Sequence, residues 1–297
     1  MSTTTPTTTP NTSPMRSNMR YILQRRIGRF FFWVALLVYL VWIIFPFYWM
    51  VATSLRPNNE LYAREVTILP QELILDHYRE EIDRFQFLPR LRNSLVVAGS
   101  TTILTVILSS LAAFSITRLR YPGRGALARS ILLIYLIPGS LLFIPLYIIV
   151  YTIGLANTLY SLIITYLTFS IPFCTWMLMG YFRSIPIDME EAAMIDGCSR
   201  FESFYRILLP LAAPGMVAAG IFSFTLAWNE FLYATVFITS SQLQTVPVGL
   251  ASHIVADIYM WGPLMAGSTM AAVPIIILYI FAQRSLVQGM FAGSVKG

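Results

Sequence analysis

One polar stretch of this chain sets residue types at a spacing that could do work: Glu191-Ala192-Ala193, three residues, Gly197, nine residues, then Ile207-Leu208-Leu209-Pro210. The work it suits is docking. Ala192 and Ala193 offer a small surface on which another backbone can seat closely, and Glu190, Glu191 and Asp196 ring it with negative charge suited to a basic partner. On spacing alone the same residues also fit a solvated loop helix with ordinary caps. Catalysis has no candidate group. Lys296 is the only lysine, and a phosphate-binding loop needs a lysine after its glycines to reach the terminal phosphates. HExxH, CxxC and GxSxG are absent, and His77 and His253 stand far apart in loops. Cys174 and Cys198, one in an apolar run and one in a polar loop, make no metal site and are not expected to pair. Energised work by this protein would have to draw its energy from another subunit.

The elements that position this stretch can be read from their ends. Asp188 and Glu191 are spaced as N-cap and third helical residue, just after Pro186, which starts a helix at about Met189. Gly197 suits the left-handed residue that ends it. Ser199 and Glu202 form a second capping box, so a new helix runs from about Arg200 to Leu209, and Pro210 and Pro214 stop or kink it. The first helix has only about eight residues, below the roughly 12–15 at which isolated helices hold in water, so packing or a partner must support it.

The surrounding frame is oily. At 57% hydrophobic, 11% charged and a mean hydropathy of +0.68, this is a polytopic membrane protein. A spanning helix needs about 20 mainly apolar residues. Uncharged runs give six, at 30–52, 94–117, 130–151, 160–181, 212–236 and 264–283, with kinks at Pro138, Pro145 and Pro172. The region 239–266 is interrupted by Ser240–Thr245 and Pro247 and reads as an outer loop, open to a partly re-entrant path. Fourteen basic residues fall on the side of the 183–210 loop, against six in the 53–93 loop, where seven acids accompany them. Both termini should therefore be cytoplasmic. The +6 charge is a topology signal, and no basic face suits nucleic acid. Residues 1–20 are expected to be a disordered tail, Thr- and Pro-rich over Ser2–Pro14, with no cleavable signal peptide before span 1; residues 21–297 form the membrane domain, ending in a tail at 285–297.

The pattern from Glu191 to Pro210 resembles the EAA loop of permease subunits in bacterial and archaeal ATP-binding-cassette importers. Glu191, Ala192, Ala193, Gly197, Ile207, Leu209 and Pro210 all stand where that pattern has them. Ala292-Gly293-Ser294-Val295-Lys296-Gly297 is similar to the tail of maltose-type carbohydrate permeases. Trp228-Asn229-Glu230-Phe231 and the loop opening Leu55-Arg56-Pro57-Asn58 look like the same branch, and the similarity covers about residues 20–297. It implies an all-α, six-helix type I importer permease in the bacterial or archaeal cytoplasmic membrane. Met189–Asp196 would be the coupling helix, seated in a cleft of an ATPase subunit with Glu191 paired to a basic residue there. The implied partners are a second homologous permease, two ATPases and an extracytoplasmic solute-binding protein. ATP and Mg would be bound by the ATPases, leaving this chain no cofactor and a purely conformational task, the rocking of spans 2–5. Lys296 would contact the ATPases, unless the tail is a frayed end.

Cargo is less legible. Glu230 is the only acid inside an expected span, and intramembrane acids usually face a cavity or a partner. One reading puts Trp228, Asn229, Glu230 and Tyr233 along a sugar path; the other makes Glu230 a structural contact near the outer interface and Trp228 an interfacial aromatic. In the outer loop, Gln242, Gln244, His253 and Asp257 are candidates to touch a binding protein. His253 and Asp257, four apart, read as a polar contact rather than a metal site. A sugar or oligosaccharide is the expected solute. The alternatives are an importer of another solute and a proton-coupled secondary transporter using Glu230, which should show internal repeats and more intramembrane acids.

Overall fold

The structure is a computed structural model, and it describes residues 15–65, 67–255 and 258–294, with side chains from 25 to 283 except at 66 and 255–258. The chain divides into two compact units, Met1–Ala52 and Thr53–Gly297. The first is the body of α1 (Met15–Ser54), a 40-residue helix with Pro46 inside it. Residues 15–20, expected in the tail, already belong to this helix; residues 1–14 lie outside the described residues.

The second unit begins with two short helices, α2 (Asn58–Leu61) and α3 (Asp76–Asp83), and continues into α4 (Phe87–Arg118). A bent pair follows, α5 (Arg124–Tyr135) and α6 (Gly139–Thr152), turned by 99° at Leu136–Pro138. The expected span 130–151 is therefore not one rod. Pro138 has no amide hydrogen to continue the ladder, and its ring disfavours helical backbone before it. Then come α7 (Leu159–Ser184), α8 (Asp188–Ile195) and α9 (Arg200–Ser203). A wide π turn over Phe204–Leu208 leads to α10 (Leu209–Leu211), α11 (Ala213–Asn229) and α12 (Leu232–Phe237). The 239–266 region contains a 3-10 turn, α13 (Val246–Ala251) and a two-stranded hairpin, β1 (Ile254–Val255) with β2 (Ile258–Tyr259). The chain ends in α14 (Trp261–Ser294).

Four of these helices are long and apolar enough to cross a membrane, and counting each bent pair as one span brings the number to six. In the second pair, Arg200–Leu211 with Ala213–Asn229 at 76°, the first limb carries Arg200, Glu202 and Arg206. That limb lies in the expected 183–210 loop, and the expected span 212–236 falls on α11 and α12.

α4, α7 and α11 make the core. In a bilayer no hydrophobic drive separates helices from lipid, so small and hydroxyl side chains must let the backbones approach. Thr101, Thr105 and Ser109 recur every four residues down one face of α4, and Ser161, Thr165 and Ser170 line the facing side of α7, all buried. Thr105 and Ser170 share a hydroxyl hydrogen bond of 2.7 Å. Ile103, Ile107 and Leu111 on the other face of α4 are exposed, as lipid-facing residues should be. Two apolar clusters flank this seam. Leu162, Tyr166, Trp228 and Phe237 fill the end near α12, and Phe114, Leu178, Phe182 and Phe204 fill the end near α8.

Candidate functional site

The 183–212 loop hangs from the ends of α4 and α7. α8 runs Asp188–Ile195, as spacing predicts, but its expected capping box does not form: Ile187 is the N-cap, and no side chain caps the helix. Asp188 is already the first helical residue, so its carboxylate lies within the turn it was expected to precede. Three acids in that first turn still complement the helix dipole. Gly197 has φ +95°, a left-handed conformation that a Cβ would strain. Its amide donates to the Met194 carbonyl, and the Cys198 amide donates to Ala193, closing the helix end. The second capping box is complete. The Glu202 amide donates to Ser199 Oγ at 3.2 Å, and the Ser199 amide donates to Glu202 Oε2 at 2.8 Å. The bond from the Ser199 amide, with the Ser199 hydroxyl and the Arg206 charge adding to it, holds the Glu202 carboxyl below its ordinary range.

The second loop helix is not one regular helix to Leu209. Pro210 cannot donate to the Arg206 carbonyl, and the ladder widens into the π turn, with the Leu209 amide reaching Phe204. Ile207 and Leu209 are half-buried and Pro210 is exposed.

α8 has two unlike faces. Glu191, Ala192, Met189 and Asp196 are exposed, and Ile195 exposes 86% of its surface. Ala193 and Glu190 are buried. Glu190 was expected to join the charged rim, but it turns inward to Arg118, whose Nε donates to Glu190 Oε1 at 2.6 Å. Arg118 Nη2 also donates to the carbonyls of Phe182 and Ile185, at 2.8 and 3.0 Å. Removing one member of such a buried pair costs about 3–5 kcal/mol, because the other charge is left uncompensated. Sequence reading missed Arg118. Its one signal is its place as the basic residue in the last turn of α4, where it favours the helix dipole.

The other candidates separate in the same way. Glu230 sits at the break between α11 and α12 and caps the second half-helix. Its Oε1 accepts the Tyr233 amide at 2.9 Å, and Oε2 accepts the Ala234 amide at 3.1 Å and the Tyr166 hydroxyl at 2.6 Å. Tyr166 is a second partner that sequence reading did not find. Glu230 and Tyr233 line a cleft of about 380 Å³ with Tyr135, Ser140, Thr168 and Phe169. The Tyr233 hydroxyl donates to the Gly139 carbonyl at 2.6 Å, fixing the start of α6. Trp228 does not line this cleft. It is 3% exposed and stacked on Phe224, a core residue rather than an interfacial one. Asn229 is exposed and donates to its own helix at Thr225.

At the α3 and α13 end of the chain His253 is fully buried, with Nε2 donating to Glu81 Oε2 at 2.7 Å and Nδ1 facing the Leu250 carbonyl. It is packed away from any exposed surface of this chain. Gln242 and Gln244 present their carbonyls to Asn93 at 2.8 and 3.0 Å; the Gln242 side chain is exposed and that of Gln244 half-buried. Asp257 and Lys296 lie outside the described residues. No group of three or more His, Cys, Asp or Glu that could hold a metal occurs among the described residues.

This architecture, helices around a hydroxyl-lined seam with a short helix pair at one end, is that of a helical, multi-pass membrane protein. The chain belongs to the family described as the binding-protein-dependent transport system inner membrane component, whose model matches residues 105–292. It is therefore a multi-pass membrane permease subunit of the ATP-binding-cassette importers. It is similar to the inner membrane ABC transporter permease protein YcjP of Escherichia coli, 37% identical over 92% of this chain and 99% of that one. It is also similar to the diacetylchitobiose uptake system permease protein DasC of Streptomyces coelicolor, 32% identical over 89% and 96%. The trehalose/maltose transport system permease protein MalG of Thermococcus litoralis is 33% identical over 86% and 92%. Among solved structures, a bacterial ABC transporter that imports the polysaccharide alginate matches with a TM-score of 0.78 at 20% identity, over 93% of this chain and 99% of that one. The type I importer permease fold follows. The family assignment leaves the proton-coupled alternative without support.

Proposed function

We propose that this chain is one of two permease subunits in an importer for a di- or oligosaccharide, and that its 183–212 loop receives the movement of ATPase subunits that bind and hydrolyse ATP with Mg. The observation that carries the coupling role is the division of α8 into a buried side tied to the spans and an exposed side of Met189, Glu191, Ala192 and Ile195. A helix held from behind and bare in front is built to be pushed. The sugar class is supported by relatives named for diacetylchitobiose and for trehalose and maltose. In this reading both termini and the loop face the cytoplasm, and the outer layer around α3 and α13 faces an extracytoplasmic binding protein. Lys296 reaches the ATPases, and Glu230 with Tyr233 borders the solute path, with Asn229 at its edge.

The ATPases supply the differential affinity that drives the change between inward- and outward-facing states. This chain contributes rigid helices, a seam along which they shift, and the docking helix. The test is uptake of labelled trehalose, maltose and N,N′-diacetylchitobiose by cells whose only copy of this permease is wild type or Glu191→Lys. Wild type should accumulate one of the three, and Glu191→Lys none, with equal chain in the membrane. Normal uptake by Glu191→Lys would contradict the coupling role, and no accumulation of any of the three by wild type would contradict the sugar assignment.

A further inference from the structure

The buried side of the coupling helix shows how a push on α8 would reach the spans. α8 is joined to its neighbours by short irregular links, residues 185–187 before it and 196–199 after it. An eight-residue helix on such links pivots unless something fixes it. The fixture is Arg118, in the last turn of α4. Its guanidinium bonds Glu190 on α8 and, through Nη2, the carbonyls of Phe182 at the end of α7 and Ile185 just past it. The Phe182 carbonyl already accepts the Ile185 amide at 3.2 Å, so Arg118 adds a second bond there and ties the turn that ends α7 through the Ile185 carbonyl as well. One planar side chain thus bridges three elements. Its pair with Glu190 is shielded, with 9% and 7% of the two side chains exposed. Around it, Phe114 on α4 packs on Phe204 at 4.5 Å between ring centres, and Ser203 Oγ donates to the Glu190 carbonyl at 3.5 Å. Only a guanidinium has the fork for this; a lysine ammonium would be a single point of charge.

We infer that Arg118 is a positioning residue that makes α8 and the loop-side ends of α4 and α7 one rigid unit, so that displacement of the coupling helix becomes displacement of the spans. The inference rests on the reading of the 183–212 loop as the ATPase docking site. Neither side chain need touch the ATPase or the solute for this role.

The test places spin labels at Ile195→Cys, 86% exposed on α8, and Tyr160→Cys, 68% exposed near the start of α7, after Cys174→Ala and Cys198→Ser. The labelled permease is studied in its complex with the partner permease and ATPases, without nucleotide and with Mg-ATP on hydrolysis-deficient ATPases. With Arg118 present, the Ile195–Tyr160 distance should be the same in both states, because α7 carries one label at its far end and is fixed to α8 at its loop-side end. In Arg118→Gln the distribution should at least double in width and shift with ATP, while the ATPase still co-purifies. Arg118→Lys, which keeps the charge and loses the carbonyl bonds, should fall between. A narrow, nucleotide-independent distance in Arg118→Gln would overturn the inference, as would a wild-type distance that itself changes with ATP. Failure of both Arg118→Gln and Arg118→Lys to assemble would assign the residue a purely structural role and overturn it too. Glu191→Lys separates the two ideas: unchanged ATPase co-purification there contradicts docking itself, whereas its loss together with a narrow Arg118→Gln distance contradicts only the strut.

Discussion

At one end of α4, around α3 and α13, four ionisable side chains turn inward, while Asp76, Arg79 and Arg84 beside them stay exposed. His253 is bonded to Glu81, both almost wholly buried, and the His77 ring bonds the Arg56 carbonyl. Arg56 in turn donates to the carbonyls of Thr67 and Ile68. At the other end of α4, in the 183–212 loop, Glu190 alone of the acids is buried, and Glu191 and Asp196 stand exposed beside the bare side chain of Ile195. Both regions look alike in sequence, as polar interruptions of an oily chain. They differ in what their charges satisfy. In the first region four buried ionisable groups bond one another or backbone carbonyls; in the second a single buried acid, Glu190, is held by Arg118, and its other acids stay at the surface.

That contrast can be broken from either end, and the largest effect belongs to the region with the four buried groups. Glu81→Ala strands the His253 ring in a fully buried site and should lower stability by about 3 kcal/mol, read as earlier thermal unfolding in detergent. It should leave ATPase co-purification unchanged once the protein is folded; a loss of ATPase there would erase the contrast. Next comes Gly197→Val, which puts a branched side chain at φ +95°. The strain, about 2 kcal/mol, falls on the α8 end, so ATPase binding should drop at least fivefold, with a smaller loss of thermal stability than in Glu81→Ala. Smaller again is Glu230→Gln. Its one oxygen can keep the Ala234 amide and the Tyr166 hydroxyl while its NH2 faces the Tyr233 amide and loses that bond, so the cost should be about 1 kcal/mol. Labelled-sugar uptake should persist with an unchanged pH profile; a pH profile that shifts with this substitution would revive a protonic role for Glu230. Ser199→Ala should have the least effect on coupling, under twofold, because it removes one half of the capping box, typically worth about 1 kcal/mol.

Much of the loop was legible because its signals are local. The Ser199–Glu202 box and the left-handed Gly197 depend on backbone a few residues away, and both form as the spacing predicts. The Asp188–Glu191 box has the same spacing and does not form, because the helix starts one residue earlier and leaves Asp188 inside the turn. Span positions were legible from composition, since a bilayer demands about 20 apolar residues whatever their order. The breaks within spans were not. The bend at Pro138 had a residue to mark it, but nothing local announces that Glu230 will cap α12 in mid-span. Least legible were the long-range pairs, Arg118 with Glu190 across 72 residues and Glu81 with His253 across 172. A charge shows its type in sequence, not its direction. The inward turn of Glu190 and the burial of His253 and Trp228 follow from tertiary packing, so candidates picked by polarity and spacing alone divide into buried and exposed residues only in the fold.

The central claim is that the exposed side of α8 is the surface on which the ATPase acts. A photo-crosslinking amino acid at Ile195, exposed over 86% of its surface, tests it most directly in membranes containing the assembled importer. The account predicts an adduct between this chain and the ATPase subunit, lost when Glu191→Lys is added. Irradiation that yields no ATPase adduct, or one that Glu191→Lys leaves untouched, would contradict it.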